Sequence, residues 1–415
     1  MKLGLERTHE LMARLDHPEN AFQSIHVAGT NGKGSVVAVC EAILRHAGYI
    51  TGRFTSPHLV HFNERICING SPVPEESIES KLSIWQPWLE EHEISFFEIT
   101  TGLAFSLFRD YHVNAAIIET GLGGRLDATN VLKPQVTVIT SIAHDHTNIL
   151  GETLRAIAGE KAGIIKQNTP LVTCSQDPTV LEVLQYHANN KHAPFYKINP
   201  FDYFSDFRLK PEGMFLKMKR YNSWIKTPLM GIHQLENFAL AIKACDLFTQ
   251  GNLPKSAVIE GLTSVEWRGR FELLRENPFV FYDVAHNPSG VERLKELVLT
   301  LFPHKPLTLV IGMLGDKDIH NIVDILLPFA AHCFLSPVNS HRSVTKEALE
   351  ALSASRSKTE VTSSLDEALN KALETTPSQG ILLIYGSHYI APEVYHTFQP
   401  NKYNQSPKIP LDPTV

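Results

Sequence analysis

Short apolar runs alternate with amphipathic stretches of helical period along the first half of this 415-residue chain. That alternation is typical of a parallel α/β sheet. The segment 202–228 instead alternates aromatic and polar residues, which predicts a pair of antiparallel strands, and 232–248 returns to a helical pattern. The predicted strands of the first half are 23–28, 115–119, 136–141 and 170–173, and its predicted helices include 33–47 and 153–165.

A second series of strand and helix patterns begins at residue 279 and predicts a smaller α/β domain. The charged segment 268–278 precedes it, so we expect domains at 1–272 and 273–398, then a loose proline-rich tail at 399–415. Two domains also suit a chain of this length, which exceeds one compact core. The predicted strands of this part are 279–284, 307–312, 332–336, 359–362 and 381–386.

Composition narrows the class of protein. The formal net charge is −6 and no basic stripe stands out, so we expect no nucleic-acid partner. Five dispersed cysteines without a CxxC pair indicate neither a disulfide framework nor a structural zinc site, and they favour a reducing cytoplasm. With no apolar signal core and no run of 18 apolar residues, we expect neither export nor a membrane span.

A glycine-rich loop, GTNGKGS, lies between the first predicted strand and a helix. Glycines let backbone N–H groups converge on phosphate oxygens at the positive end of the helix dipole, which predicts ATP binding. The spacing departs from GxxxxGK[ST], because a glycine separates the lysine from the serine. The alternative is a glycine-rich turn with an exposed lysine. The candidate ATP-binding residues here are Gly29, Thr30, Asn31, Gly32, Lys33, Gly34 and Ser35.

Magnesium-ATP also needs oxygen or imidazole ligands beside this loop. Glu119 ends a predicted strand, and His146 follows the end of the next one. Taken singly, a glutamate at the end of a strand is often just exposed to solvent, and a lone histidine is often a surface residue. Ligands of parallel sheets bind at the carboxyl edge, so the pair together predicts a metal site there.

Taken in order, the motifs of this chain resemble the folylpolyglutamate synthase/dihydrofolate synthase family, a branch of the Mur ligases. The resemblance implies a P-loop-type N-terminal ATPase domain and a smaller Rossmann-like C-terminal domain, with the site in the cleft between them. The matching motifs are HVAGTNGKGS (26–35), TSPHLVHFNERI (55–66), ETGLGGRLDATN (119–130), HDHTNILGETLRAIAGEKAGIIK (144–166), GIHQLENFALAIKA (231–244), WRGRFE (267–272), YDVAHNPSG (282–290), GMLGDKD (312–318) and YGSHY (385–389).

The resemblance further implies two Mg²⁺ ions, held by Ser56, Glu119 and His146. It implies that a CO₂-derived carbamate forms on Lys161 and helps to order the second Mg²⁺, although an unmodified Lys161 paired with Glu160 is the alternative. It implies catalytic roles for Lys33, Lys161 and Arg270. The remaining implied ATP contacts are Asn237, Arg270, Asp283 and His286. Without the motifs, Asn237 could equally be an exposed polar residue on a helix. Arg270 could equally form a surface ion pair.

The family reaction joins L-glutamate to a carboxylate substrate through an acyl phosphate. The RLDATN motif favours dihydropteroate as well as reduced folates as the acceptor. The resemblance also implies a monomeric enzyme. Phe97 would pack on the pterin or aminobenzoate ring, and a plain helix-core role is its alternative. Implied substrate residues are Phe97, Glu98, Asp127, Ala128 and Arg65, with Ser387 a weaker candidate.

Three other functions compete with this interpretation. The chain could be a folylpolyglutamate synthase only, or another Mur-type peptide ligase. The latter usually carries an extra domain before the loop, for which the sequence leaves no room. A regulatory P-loop ATPase would leave the motifs at 282–290 and 312–318 unexplained.

Overall fold

A computed structural model describes residues 4–174, 177–315 and 318–400. Two residues of the 312–318 motif and the predicted tail from 401 onward lie outside these ranges. No helix in the described ranges is long and apolar enough to cross a membrane.

An eight-stranded sheet forms the centre of the N-terminal part, in the order β4-β3-β2-β5-β1-β6-β7-β8. Strands β2, β5, β1, β6, β7 and β8 are parallel, and the short β3 and β4 extend the edge in antiparallel pairing. Its strands are β1 (Gln23–Ala28), β2 (Thr51–Phe54), β3 (Ile66–Ile68), β4 (Ser71–Pro72), β5 (Ala115–Glu119), β6 (Val136–Ile139), β7 (Leu171–Thr173) and β8 (Phe195–Lys197).

Helices cover both faces of this sheet, because its strands are apolar on both sides. In β1, Ile25 and Val27 pack against α2 and α8, whereas Ala28 faces the α6 and α7 side. The N-terminal helices are α1 (Glu6–Arg14), α2 (Lys33–His46), α3 (Glu75–Glu91), α4 (Phe96–Asp110), α5 (Thr147–Leu150), α6 (Leu154–Ala162), α7 (Pro178–Asn190), α8 (His233–Phe248) and α9 (Lys255–Ser264).

The predicted antiparallel segment is a three-stranded sheet rather than a pair of strands. It comprises β9 (Phe204–Lys210), β10 (Gly213–Met218) and β11 (Ser223–Thr227), with β10 in the middle. The second connection was missed because residues 219–222 carry no glycine or proline to mark a turn. Met214 and Leu216 of β10 lie in the main core, where β11 packs against α9 and Phe204 of β9 contacts Phe238 of α8.

The C-terminal part has a six-stranded sheet in the order β12-β13-β17-β14-β15-β16. Only β12 is antiparallel, and it lies inside the charged segment that the sequence assigned to the domain join. Its elements are β12 (Glu272–Glu276), β13 (Phe279–Asp283), β14 (Leu307–Gly312), β15 (His332–Ser336), β16 (Thr359–Val361), β17 (Ile381–Tyr385), α10 (Pro288–Leu301), α11 (Ile319–Leu326), α12 (Lys346–Ser353), α13 (Leu365–Thr375) and α14 (Ala391–Phe398).

The two sheets are joined by one continuous apolar cluster. Met230, just before α8, lies in the same cluster as Leu294 and Leu297 of α10. Above this contact the carboxyl ends of β1, β2, β5 and β6 face those of β13 and β17 across a cleft. The predicted α/β architecture with a smaller second sheet is therefore confirmed.

Candidate active site

The glycine loop connects β1 directly to α2 and is anchored from both sides. Gly32 has φ 90°, which favours glycine, and it caps α2 so that Lys33 begins the helix. Thr30 N–H donates to the Ser141 carbonyl at 2.8 Å, fixing the loop to the segment after β6. The loop backbone therefore curls around the N-terminus of α2, where N–H groups lack helical partners and attract anions.

Glu119, at the end of β5, lies beside this loop. Its carboxylate is 3.8 Å from Lys33 Nζ and accepts the Ser56 N–H at 3.3 Å. Desolvation raises the pKa of this buried carboxyl, while the nearby charge of Lys33 and the Ser56 N–H act in the opposite direction. A buried carboxylate with one lysine at this distance has capacity for further positive charge.

Lys161 reaches the same loop from α6. It is buried, and its Nζ donates to the Gly29 carbonyl at 2.7 Å. Desolvation, with added repulsion from Lys33, lowers the pKa of its amine to about 7. Glu160, the partner suggested by the sequence, pairs instead with Arg125 at 2.8 Å, so the predicted pairing of Lys161 with Glu160 is wrong.

His146 lies at the rim of the cleft rather than deep within it. Its side chain is 40% exposed and its Nε2 is 3.8 Å from Asp145. The residue has φ 50° and precedes α5. Among the described residues, no three His, Cys, Asp or Glu side chains cluster closely enough to hold a metal by themselves.

Polar side chains of α8 line the cleft beside the loop. Asn237 is 4% exposed, so it is not the exposed helix residue that the sequence also allowed. Its amide donates to Gln234 at 2.8 Å, and Gln234 contacts the Ser35 hydroxyl at 3.5 Å. These contacts connect the amides of α8 with the loop.

The C-terminal sheet supplies the opposite wall. Both carboxylate oxygens of Asp283 accept backbone N–H groups, from Phe271 at 2.8 Å and from Ala285 at 2.7 Å. Burial raises the pKa of Asp283, and the charge of Arg270 opposes that rise. The charge of the same arginine also opposes the rise in the pKa of Glu119 on the facing sheet. Arg270 therefore acts electrostatically on both walls.

The residues predicted to bind ATP and metal meet in this one cleft of about 210 Å³. Its lining includes every residue of the loop from 29 to 35. From other segments it includes the predicted Ser56, Glu119, His146, Lys161, Asn237, Arg270, Asp283 and His286.

A second cavity of about 350 Å³ adjoins the cleft and shares Ser56, Pro57 and residues 121–123 with it. Phe97, in the first turn of α4, lines it and packs on Phe54 with ring centroids 5.9 Å apart. Every predicted substrate residue lines this cavity, namely Phe97, Glu98, Asp127, Ala128 and Arg65. The weaker candidate Ser387 instead caps the short turn at 388–390.

Two of these five candidates are carboxylates whose oxygens already accept hydrogen bonds from the protein itself. Glu98 accepts the Ser95 N–H at 2.7 Å and pairs with Arg7 at 3.0 Å. Asp127 accepts the Leu122 N–H at 2.8 Å and the Thr129 hydroxyl at 2.5 Å. Both carboxylates therefore shape the cavity wall.

The sequence did not reveal the role of Asn287, whose side chain connects the C-terminal part with loops of the N-terminal part. Its Nδ2 donates to Asn31 of the loop at 3.1 Å and contacts Asp145 at 3.3 Å, while its Oδ1 caps α10 by accepting the Gly290 N–H. The signal was present in the sequence, since asparagine before proline is a helix-start pattern, but its partner lies 256 residues away.

Comparison with protein families defines the class. Residues 27–245 match the Mur ligase middle domain, and residues 269–388 match the Mur ligase glutamate ligase domain. The fold and the cleft are therefore those of a Mur ligase.

Characterised relatives narrow the class further. The chain is 38% identical to the dihydrofolate synthase/folylpolyglutamate synthase of Bacillus subtilis, over 95% of this chain and 94% of that protein. It is 32% identical to the folylpolyglutamate synthase of Lacticaseibacillus casei, over 93% and 92%. This chain belongs to the dihydrofolate synthase/folylpolyglutamate synthase family, as the motifs predicted.

Solved structures agree. Mycobacterium tuberculosis folylpolyglutamate synthase complexed with ADP and AMPPCP superposes with a TM-score of 0.87 at 32% identity, covering 95% of both chains. E. coli FolC in complex with DHPP and ADP gives a TM-score of 0.85 at 30% identity, covering 97% of this chain and 94% of the other.

Proposed function

We propose that this protein is an ATP-dependent ligase that adds L-glutamate to dihydropteroate and to the glutamate tail of reduced folates. The observation that carries this proposal is the junction of the two cavities at Ser56 and residues 121–123. A substrate lying on Phe97 in the second cavity can extend its carboxylate toward the phosphate loop in the first. The E. coli relative has been solved in complex with both DHPP and ADP, which is in keeping with separate cavities for the substrate and the nucleotide.

The reaction begins when the substrate carboxylate attacks the γ-phosphorus of ATP. A new O–P bond forms, the bond to the bridging oxygen breaks, and ADP leaves. The amine of glutamate then attacks the acyl carbon, an amide forms, and phosphate leaves after the amine loses its proton. Such phosphoryl transfer depends on positioning and charge neutralisation, which Lys33 and Arg270 supply from opposite walls.

We further propose that Ser56, Glu119 and His146 hold Mg²⁺ together with phosphate oxygens. The fit rests on Glu119, a desolvated carboxylate whose burial a cation would offset. A site with few protein ligands also suits Mg²⁺, which usually keeps several waters and binds substrate phosphates. Bound there, Mg²⁺ would neutralise the charge on the transferred phosphoryl group.

Lys161 suits carbamylation, because its lowered pKa leaves a large neutral fraction near pH 7. Only a neutral amine can attack CO₂, forming an N–C bond and releasing a proton. The product is an anion, which the neighbouring Lys33 favours electrostatically.

For the nucleotide, we propose contacts along both walls. The loop backbone and Lys33 bind the phosphates, and the amide of Asn237 suits the base. Asp283 suits ribose hydroxyls, since a carboxylate that already accepts two N–H groups retains acceptor capacity. His286, whose Nδ1 donates to the Val284 carbonyl at 2.9 Å, adds a polar group to the same wall.

For the second cavity, we propose that Phe97 and Ala128 contact the ring system and that Arg65 binds a substrate carboxylate. Glu98 and Asp127 act by holding the wall. A folylpolyglutamate synthase without dihydropteroate activity is the second candidate, because the Lacticaseibacillus casei relative carries that name alone.

We also propose a domain boundary at residues 272 and 273, near the start of β12. A cytoplasmic location is supported by five free, buried cysteines. We also propose that the enzyme is a monomer, as the resemblance to the family implies.

The decisive experiment measures ADP release from Mg-ATP with L-glutamate and each acceptor in turn. Release that needs both glutamate and dihydropteroate supports the proposed dual activity. Release with tetrahydrofolate but not with dihydropteroate would favour the second candidate. ATP turnover that needs no carboxylate acceptor would refute both.

A further inference from the structure

Arg65 is a buried cation held between aromatic rings on the wall of the second cavity. Its side chain ends the short turn Phe62–Arg65 and is 6% exposed. Its guanidinium carbon lies 5.7 Å from the ring centroid of Phe62 and 5.4 Å from that of Phe96. Contact with aromatic faces suits a planar guanidinium and limits how far the group can tilt.

The rotation of the guanidinium within this aromatic frame is set by His58. Arg65 Nε donates to His58 Nδ1 at 2.8 Å, and the histidine is 2% exposed. Arginine has only donors, so Nδ1 must be the acceptor and the ring is neutral with its proton on Nε2. The bond uses Nε, whereas end-on recognition of a carboxylate uses the two Nη groups.

The loop that carries His58 is itself held firmly. The Glu64 carboxylate accepts three consecutive backbone N–H groups, from Leu59 at 2.8 Å, Val60 at 3.1 Å and His61 at 2.9 Å. The Arg65 carbonyl accepts the Thr55 N–H at 3.0 Å, which closes the loop onto the end of β2. These bonds fix the backbone on both sides of the contact between His58 and Arg65.

One atom of His58 shows that packing alone does not explain why a histidine occupies this position. Its Nε2 is buried and has no hydrogen-bond partner in the part of the chain that the structure describes. Buried N–H groups without partners are rare in folded proteins. An apolar side chain would fill this space without that penalty, so the feature that distinguishes histidine here is the acceptor at Nδ1.

We propose that His58 is a positioning residue, which orients the guanidinium of Arg65 toward the carboxylate of an anionic substrate. This inference rests on the proposed ligase function, because it takes the ligand of the second cavity to be a carboxylate. His58 itself does not touch the substrate.

Two substitutions separate positioning from packing. His58→Asn keeps an acceptor oxygen close to the place of Nδ1, whereas His58→Leu keeps the bulk and removes the acceptor. We expect His58→Leu to raise the KM of one carboxylate substrate, L-glutamate or the pteroate or folate acceptor, by roughly tenfold or more. His58→Asn should stay within about threefold of the wild type, and the KM for ATP should change by less than about twofold in both.

A double-mutant comparison tests whether His58 acts through Arg65. In an Arg65→Ala background, His58→Leu should leave that KM unchanged within about twofold, because the group it orients is already gone. The inference is overturned if Leu and Asn have equal effects, if all three KM values rise together, or if His58→Leu still acts without Arg65. Equal melting temperatures of the Leu and Asn variants would exclude a folding defect as the cause of their difference.

A structural readout keeps this inference separate from the ligase proposal. In a ¹⁵N-arginine spectrum, the Arg65 Nε–H should be protected from exchange in the wild type and His58→Asn, and unprotected in His58→Leu. Failure of the ligase proposal would show in the wild type, as no acceptor-dependent ADP release. Failure of the His58 inference would show only in the variants, and Arg65 Nε–H protection unchanged by His58→Leu would refute it.

Discussion

His26 allows the effect of burial in the central strand to be measured directly. The ring is completely buried in β1, and its Nε2 lies 2.8 Å from Thr129 Oγ1. That hydroxyl donates its own proton to Asp127 at 2.5 Å, so His26 must be the donor to it. Desolvation, with a smaller repulsion from Lys166, lowers the pKa of the imidazole from 6.5 to about 3.

The direction of the resulting pH dependence follows from these two pKa values. Below pH 6.5 the unfolded chain binds a proton at His26, whereas the folded protein binds it only near pH 3. The full stability is therefore present above pH 6.5 and is lost as the pH falls toward 3. At about 1.4 kcal/mol per pH unit, the loss is roughly 2.5 kcal/mol between pH 7 and pH 4.5.

His26→Gln isolates this contribution, because glutamine keeps an N–H donor for Thr129 and does not titrate. Urea unfolding followed by tryptophan fluorescence reports on the N-terminal part, where all four tryptophans lie. Between pH 7 and pH 4.5, the wild type should lose about 2.5 kcal/mol more unfolding free energy than the variant. As a control, His187→Gln should change the difference less, since that ring is only partly buried. Parallel pH dependence of wild type and His26→Gln would refute the reasoning.

Three further predictions concern the site. In Gly121→Ala, the new Cβ would lie 2.5 Å from Phe97 Cζ, so the Phe97 ring must move. The KM of the pteroate or folate acceptor should therefore rise several-fold, while the KM for ATP should stay unchanged. Glu119→Gln should lower kcat at least about a hundredfold and weaken the Mg²⁺ dependence of ADP release; undiminished turnover would contradict the metal assignment. Asn287→Ser keeps an acceptor that can cap α10, but the shorter side chain loses the amide donor to Asn31. The Kd for ADP, measured by calorimetry, should therefore rise by roughly tenfold, while the melting temperature changes little.

The elements that the sequence predicted well are those specified by local pattern. Strand β1, the loop after it and helix α2 are contiguous, and their apolar periodicity and glycines are legible without any distant partner. Strand β12 was missed because its charged sequence becomes a strand only by pairing with β13. The edge position tolerates such residues, since its outer side faces solvent.

Candidate site residues divide in the same way. The sequence placed Glu119 and Lys161 near the loop through motif order and strand ends. It did not reveal that Glu98 and Asp127 would be held by their own backbone neighbours, because whether a carboxylate faces a ligand or an N–H group depends on the loop conformation around it.

By itself, the sequence determined the alternating α/β order, the phosphate loop from 29 to 35 and the family to which the chain belongs. Each of these depends on residues that are neighbours in the chain or that recur in a fixed order. Only the tertiary structure decided that Lys161 bonds to Gly29, that Asn287 reaches Asn31 and that Arg65 donates to His58. These contacts depend on rotamers and on how two sheets pack, and a side chain's partner is selected by the distances, burial and charges that the completed fold creates.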